Sequence, residues 1–310
     1  MGNALTNSGG GITTVVTTQL PKLRDITYEL IAICSSQDID VSNRVHVLLA
    51  PFMPDYGKLH RALAEVETIA LSIGLRVVPR GSFASNTALS FREKPSDLDL
   101  DLVVPVNHPV RRNSGDLEAH VALRTIVQRL CDSAFQSLCT EETMTRSLKC
   151  RSTDGVDVDL FPKKVQEGNE EMLVGLHKYQ TMWTGAGPQW VNFTPVTGLR
   201  RDIICLIKLL KAHRCPDLKS YHILIATEAS SVPMVTAYNG ETLKQNLTSV
   251  FGCLRAAYAN EHPHGMQAVD IDFQLHNLAV PPNAAERRAE DHQKANRVAQ
   301  ALVTLRSDFV

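Results

Sequence analysis

Asp97, Asp99 and Asp101 alternate with Leu98, Leu100 and Leu102 at the end of the segment RGSFASNTALSFREKPSDLDLDLVV, residues 80–104. A strand has a side-chain period of two, so the three carboxylates share one face and the three leucines the other. Carboxylates crowded on one face repel and raise one another's pKa unless a cation lies among them. A hard divalent ion with oxygen ligands, such as magnesium, is the natural occupant. Two ions held by such a strand would activate an attacking hydroxyl and stabilise the leaving oxygens of a triphosphate. The chemistry this face would serve is nucleotidyl transfer.

Other residues of suitable type lie at informative positions. Gly81 and Ser82 precede the acidic strand: glycine lets a backbone amide approach a phosphate, and serine adds a hydroxyl donor. A Gly-Ser pair alone says little, but followed by Thr87 and an Asp-x-Asp strand it becomes specific. In GVDVDLFP, residues 155–162, Asp157 and Asp159 again share a strand face, and either could supply a further carboxylate. The plainer reading of that pair is the wet face of an edge hairpin. In LIKLLKAH, Lys208 and Lys211 stand three apart on one helix face, where lysines ordinarily line a solvated edge. Ser220 and Tyr221 open the next helical segment; the hydroxyl suits a phosphate oxygen and the ring suits a base, although such tyrosines more often serve as core or rim.

These residues need elements to position them. Apolar spacing predicts helices over 23–33, through Leu48 and Leu49 after cap candidates at 38–42, and over 55–73, with Gly74 as the stop. A short strand over 75–79 feeds the Gly81-Ser82 turn. A polar loop at 108–115 leads to a helix predicted over 117–138. Strands over 144–150 and 155–161 are joined by the hairpin turn Ser152-Thr153-Asp154-Gly155. A loop-rich stretch over 168–189 holds Trp183, with Trp190 just beyond it. Helices are predicted over 200–213, from Lys219 to Glu228, and from Ala284 to Leu305.

At 310 residues, 44% hydrophobic and 21% charged, the chain is long enough for one large domain or two lobes and reads as globular. A formal net charge of -1 argues against a surface given over to nucleic acid. Apolar runs fall far short of a membrane span. Seven scattered cysteines with no CxxC pair read as core thiols in a reducing cytoplasm. His262 and His264 lack companion ligands and read as loop histidines. The opening MGNALT fits a short myristoylation pattern that arises often by chance, and the first 18 or so residues read as a polar leader.

Taken in order, GSFASNT at 81–87, DLDLVV at 99–104, VDLFP at 158–162, IKLLK at 207–211 and KSYHI at 219–223 make residues 27–225 resemble the cyclic-oligonucleotide synthases, bacterial relatives of cyclic GMP-AMP synthase and oligoadenylate synthase. The resemblance implies an α+β, two-lobed nucleotidyltransferase of the polymerase-β type. A flexible tail spans 1–20. A palm lobe over 21–195 holds the N-terminal helices and a small mixed sheet, and a helical nucleotide-clamping lobe spans 196–310. The family's metal-binding acids fall on Asp99, Asp101 and Asp159, with Asp97/Asp99 and Asp157 as alternative registers. Gly81 and Ser82 would grip the phosphates, Lys208 or Lys211 the triphosphate, and Ser220 and Tyr221 the donor phosphate and base. The implied cofactor is two Mg²⁺ ions, with Mn²⁺ able to substitute, and the implied substrates are ATP and/or GTP. The product would be a cyclic di- or oligonucleotide second messenger, used in antiphage signalling and answerable to a regulatory protein partner. The zinc-ribbon cluster of the animal DNA sensor is missing, which lowers the expectation of DNA binding. A template-independent enzyme acting on RNA ends or protein, and a catalytically inactive nucleotide sensor, are the rival readings.

Overall fold

The computed structural model describes residues 23–91, 97–104, 116–133, 135–137, 148–165, 171–173, 195–259 and 284–309. The leader, the 108–115 loop, residues 144–147 of the predicted strand, the Trp183–Trp190 stretch, His262 and His264 lie outside the described residues. The helices are α1 (Leu23–Cys34), α2 (Ser42–Leu49), α3 (Tyr56–Ser72), α4 (Gly81–Ala84), α5 (Asp116–Ser133), α6 (Gly198–Arg214), α7 (Ser220–Ala229), α8 (Gly240–Tyr258) and α9 (Ala284–Ser307). The strands are β1 (Arg76–Pro79), β2 (Asp97–Val104), β3 (Phe135–Ser137), β4 (Leu148–Ser152), β5 (Asp157–Val165) and β6 (Glu171–Leu173). The architecture is α+β.

The strands form one mixed sheet in the order β1-β2-β5-β4-β3, with β6 continuing along β5. Among the described residues only β2 and β5 run parallel; their connection passes through α5 and β3–β4, the kind of crossover a parallel pair requires. Leu98, Leu100 and Leu102 are fully buried with Val158 and Leu160, under α3 and α5. The predicted alternation therefore holds, and the acids occupy the other face. Pro162 lacks a ladder donor, and it falls between the end of the β4 pairing at Leu160 and the start of the β6 pairing at Lys163. Asp55 caps α3 by accepting from the Lys58 amide (3.1 Å), and Gly74 takes a left-handed φ of 74° just past its end, as its type predicts.

Three expectations change. The helix predicted to run to Leu138 stops at Ser133, because Phe135–Ser137 pairs with β4, a partner remote in sequence. Helix α8 was not anticipated; Asn239 caps it, and Leu243, Leu247, Val250, Phe251 and Leu254 form its buried stripe. Finally, α1 and α2 do not share the palm's core as the 21–195 grouping expected. Ile26, Leu30, Ile33, Val41, Val45, Leu49 and Phe52 pack instead into the helical core built around α6, with α7, α8 and α9. Their apolar faces match a helix bundle, whereas the sheet's apolar face is already covered by α3 and α5.

Gly198 starts α6 at φ 56°, and a Cβ there would lie 2.1 Å from the Val235 carbonyl oxygen. That oxygen accepts the Leu199 amide at 2.8 Å, so it has little freedom to withdraw. Gly198→Ala combines a left-handed strain of about 1–2 kcal/mol with overpacking of about 1–3 kcal/mol. A thermal melt several degrees lower is expected; an unchanged melt would show that the Val235 loop yields freely. No helix among the described residues is long and apolar enough to cross a membrane.

Candidate active site

The parallel register sets Asp97 opposite Asp157 and Asp99 opposite Asp159. Four carboxylates from two central strands thus stand in two adjacent rows. β5 is paired on both sides by β2 and β4, so its acids are not the wet face of an edge hairpin. Asp101 lies one row further, opposite Phe161, and is 4% exposed.

Three of the acids around Asp99 have a basic partner. Lys149 donates to Asp159 Oδ2 at 2.7 Å. Arg151 grips Asp157 through Nε (2.5 Å) and Nη2 (2.9 Å). Arg80 pairs with Asp101 through a short Nε–Oδ2 contact. Both β4 bases sit directly across from their acids because Lys149 and Arg151 oppose Asp159 and Asp157 in the hairpin. Their alternation with period two, read together with the Ser152–Gly155 turn, is the sequence signal that would have found them.

Asp99 lies among carboxylates. Burial, followed by the charges of Asp97 and Asp159, pushes its carboxyl up to about 7; Lys149 opposes the rise and Asp101 adds a little to it. Burial also raises Asp159, outweighing the hydrogen bond and charge of Lys149. Burial alone would lower Lys149, but its bond to Asp159 and that residue's charge raise it. A half-buried carboxylate held this high, offering only hard oxygen donors beside other carboxylates, has the chemistry to take magnesium or manganese. Among the described residues no three acidic, histidine or cysteine side chains already converge at ligand spacing.

The Gly-Ser loop closes one side of this cluster. The Arg80 amide donates to the Asp99 carbonyl at 2.8 Å, which extends the β1–β2 pairing by one residue. The chain then turns sharply through Gly81, at φ 61°, into the single helical turn α4. A Cβ on Gly81 would lie 2.1 Å from Asp99 Oδ2, so the backbone here is pressed against the carboxylate. Phe83 anchors the turn on α3 through His60 (5.2 Å, edge-on) and Tyr56 (6.4 Å).

The other predicted residues sit on the helical side. Lys208 is buried, with its ammonium on Thr87, and feels the charges of Asp97 and Asp99. Lys211 donates to the Leu218 carbonyl at 2.5 Å, bracing the turn that leads into α7. Ser220 and Tyr221 are partly exposed in the first turn of α7. That turn is fixed by Tyr258 of α8, whose hydroxyl accepts from the Lys219 amide (3.2 Å) and bonds His222 Nδ1 (2.5 Å). The structure thus joins Gly81, Ser82, Asp99 and Asp159 in one place with Asp97 and Asp101 alongside, and sets both lysines against backbone carbonyls. Sequence reading missed Arg80, Lys149, Arg151 and Tyr258, and used Thr87 only as part of the Gly-Ser signal.

No protein-family model matches the chain, and no curated protein matches it in sequence. Solved structures are similar to it. The CD-NTase CdnG of Bradyrhizobium diazoefficiens, in complex with GTP, is 14% identical; the match covers 90% of this chain and 98% of that one, with a TM-score of 0.44. DncV of Escherichia coli, in its 3'-deoxy GTP bound form, is 15% identical over 91% of this chain and 88% of that one, with a TM-score of 0.42. The CdnE cyclic dinucleotide synthase of Elizabethkingia meningoseptica, with GTP and Apcpp, is 10% identical over 78% and 91%, with a TM-score of 0.45. At such identities and scores, function has to be read from the site residues themselves.

Proposed function

We propose that this chain is a metal-dependent nucleotidyltransferase that joins nucleoside triphosphates, ATP and/or GTP, into a cyclic di- or oligonucleotide and releases pyrophosphate. The observation that carries this reading is the register of Asp99 against Asp159 with the Gly81 backbone packed on Asp99. A turn of the type that holds phosphate beside paired, half-buried carboxylates supports this reading.

Asp99 and Asp159, with Asp101 or Asp97, would hold two magnesium ions. When bound, these lower the pKa of the attacking ribose hydroxyl and neutralise the charge that develops on pyrophosphate. The chain's own residues do the rest. The Gly81 backbone and the Ser82 hydroxyl hold the β- and γ-phosphates, so that the α-phosphorus faces the carboxylate rows. Ser220 and Tyr221 hold the donor phosphate and base. The acceptor hydroxyl attacks the α-phosphorus, the bond to the bridging oxygen breaks, and the hydroxyl proton passes to the carboxylate cluster. The linear product then turns over and a second attack closes the ring. What supports ring closure over chain extension is the order and spacing of the five motifs shared with cyclic-oligonucleotide synthases. A role in antiphage signalling, under a regulatory protein partner, belongs to the same proposal.

The test is incubation of the purified chain with four labelled NTPs and magnesium or manganese, then phosphatase treatment and chromatography. A small phosphatase-resistant product, formed with pyrophosphate release, is expected. A growing ladder of products would instead identify a polymer-extending enzyme. Nucleotide binding without any turnover in either metal would identify an inactive sensor.

A further inference from the structure

Lys208 occupies the place where the triphosphate-binding lysine was expected, yet its ammonium is turned into the protein. Only 6% of the residue is exposed. Nζ donates to the Thr87 carbonyl at 2.9 Å and to Thr87 Oγ1 at 2.8 Å. Thr87 Oγ1 is 2.8 Å from Ser85 Oγ, and Ser85 Oγ donates to the Gly81 carbonyl at 3.0 Å. Both Ser85 and Thr87 are fully buried.

The direction of this chain follows from donor inventory. An ammonium has no acceptor, so Thr87 Oγ1 must accept from Lys208 and spend its own proton elsewhere. Ser85 Oγ is its neighbour and accepts it, leaving the serine proton for the Gly81 carbonyl, with the Ser82 carbonyl at 3.3 Å sharing it. Every bond is then made in one sense, from Lys208 through Thr87 and Ser85 to Gly81, and each polarises the next. The relay ends on the residue that presses against Asp99.

A second brace runs parallel one residue earlier and two helical turns away on α6. Arg201 Nε donates to the Asn86 carbonyl at 2.9 Å. Asn86 has a left-handed φ of 58°, and its amide oxygen accepts from the Tyr56 hydroxyl (3.2 Å). Arg201 is itself steadied by buried Asp202 (3.3 Å), which accepts from the Tyr238 hydroxyl at 2.7 Å. Two cations on one face of α6 thus fasten the trailing end of the Gly-Ser loop to the helical core. The Ser85 carbonyl is fastened as well, accepting the Val196 amide at 3.1 Å.

We infer that Lys208 is a positioning residue: it sets the Gly81–Ser82 turn through Thr87 and Ser85 and does not itself touch the nucleotide. Burial lowers its pKa to about 8, so at neutral pH most of the group is still the ammonium that the relay requires. The inference rests on the reading of Gly81 and Ser82 as the phosphate-holding turn.

Thr87→Val, Thr87→Ser, Lys208→Met and the Thr87→Val/Lys208→Met pair test it, each checked for folding by thermal melt. Thr87→Val removes the relay but keeps shape, so kcat should fall by about tenfold to a hundredfold with KM changed by less than about threefold. Thr87→Ser should keep most of the activity. The double variant should be no worse than its poorer parent, because both lesions cut one chain. Amide exchange at Ser85 and Thr87 should quicken in Thr87→Val and not in Thr87→Ser. Thr87→Val with normal turnover beside a Lys208→Met with sharply raised KM would overturn the inference, placing Lys208 on the nucleotide. A Thr87→Ser as impaired as Thr87→Val would overturn it too, reducing Thr87 to packing. If the wild-type chain joins no nucleotide, the functional reading fails, and exchange still decides the relay: unchanged protection in Thr87→Val sinks it.

Discussion

Asp99→Asn is expected to cut nucleotide joining by about a thousandfold or more and, in the same protein without metal, to raise the melting temperature at pH 8. The two effects have one cause. Asp99 stands half-buried beside Asp97 and Asp159, and its carboxyl is pushed up to about 7, well above the ordinary range. A folded-state pKa above the unfolded value means that ionisation favours the unfolded chain. Well below pH 4 the group is protonated in both states and makes no difference. As pH climbs from about 4 the unfolded chain ionises first and the cost to the fold grows, levelling off above about 7 once both states are ionised, at on the order of 2–4 kcal/mol by pH 8. The amide is isosteric with the protonated acid and carries no charge, so it removes that cost. It also removes a ligand oxygen from the cluster that must hold the cations. Melts of both proteins from pH 4 to pH 8 are the measurement: the curves should converge at the acid end and separate by several degrees at the alkaline end. A variant that is less stable than wild type at pH 8 would show that Asp99 is held by interactions stronger than its repulsions. Saturating magnesium should shrink or reverse the gap, since only the wild type gains from binding the ion.

The acidic strand was legible because its signal is local. Alternation of Asp97, Asp99 and Asp101 with Leu98, Leu100 and Leu102 admits one arrangement once a single face is buried. The hairpin into β5 was legible for the same reason, through Ser152–Gly155. What sequence could not supply was the parallel pairing of β2 with β5, since register between strands more than fifty residues apart depends on the whole sheet. That pairing decides which acids meet. It brings Asp99 level with Asp159, while Asp101, opposite Phe161, pairs with Arg80 just past the end of β1. The lysines show a different limit. Lys208 and Lys211 share a helix face by spacing, but nothing local says that Lys208 is buried, or that its partner is Thr87, 121 positions away. Helix α8 did carry a local signal, Leu243 through Leu254 at helical spacing after the Asn239 cap, so its omission reflects a missed period rather than a non-local cause. The grouping of α1 and α2 with the palm followed chain order, whereas their apolar stripes answer to α6.

Gly81→Ala is the sharpest steric test of the site. The residue sits at φ 61°, where an L side chain costs about 1–2 kcal/mol. Its Cβ would fall 2.1 Å from Asp99 Oδ2 and 3.1 Å from Asp99 Cγ, distances at which something must move. Asp99 is flanked by Asp97 and Asp159 on its own face, so the carboxylate has no neutral place to go. Either the acid swings away from its partners or the turn lifts off the strand, and both separate phosphate-holding backbone from metal-holding oxygen. Misplacement of this kind is expected to lower turnover by about a hundredfold or more, with the melt falling by several degrees. The double variant Gly81→Ala/Asp99→Ala separates the clash from the chemistry. Removing the carboxylate takes away the atoms in collision and leaves Asp99 Cβ at 3.4 Å, so the melt should recover most of the loss while activity stays absent. Gly81→Ala with normal melt and normal turnover would mean that the turn does not press on Asp99, and the case for a phosphate-holding loop beside the carboxylates would fall with it.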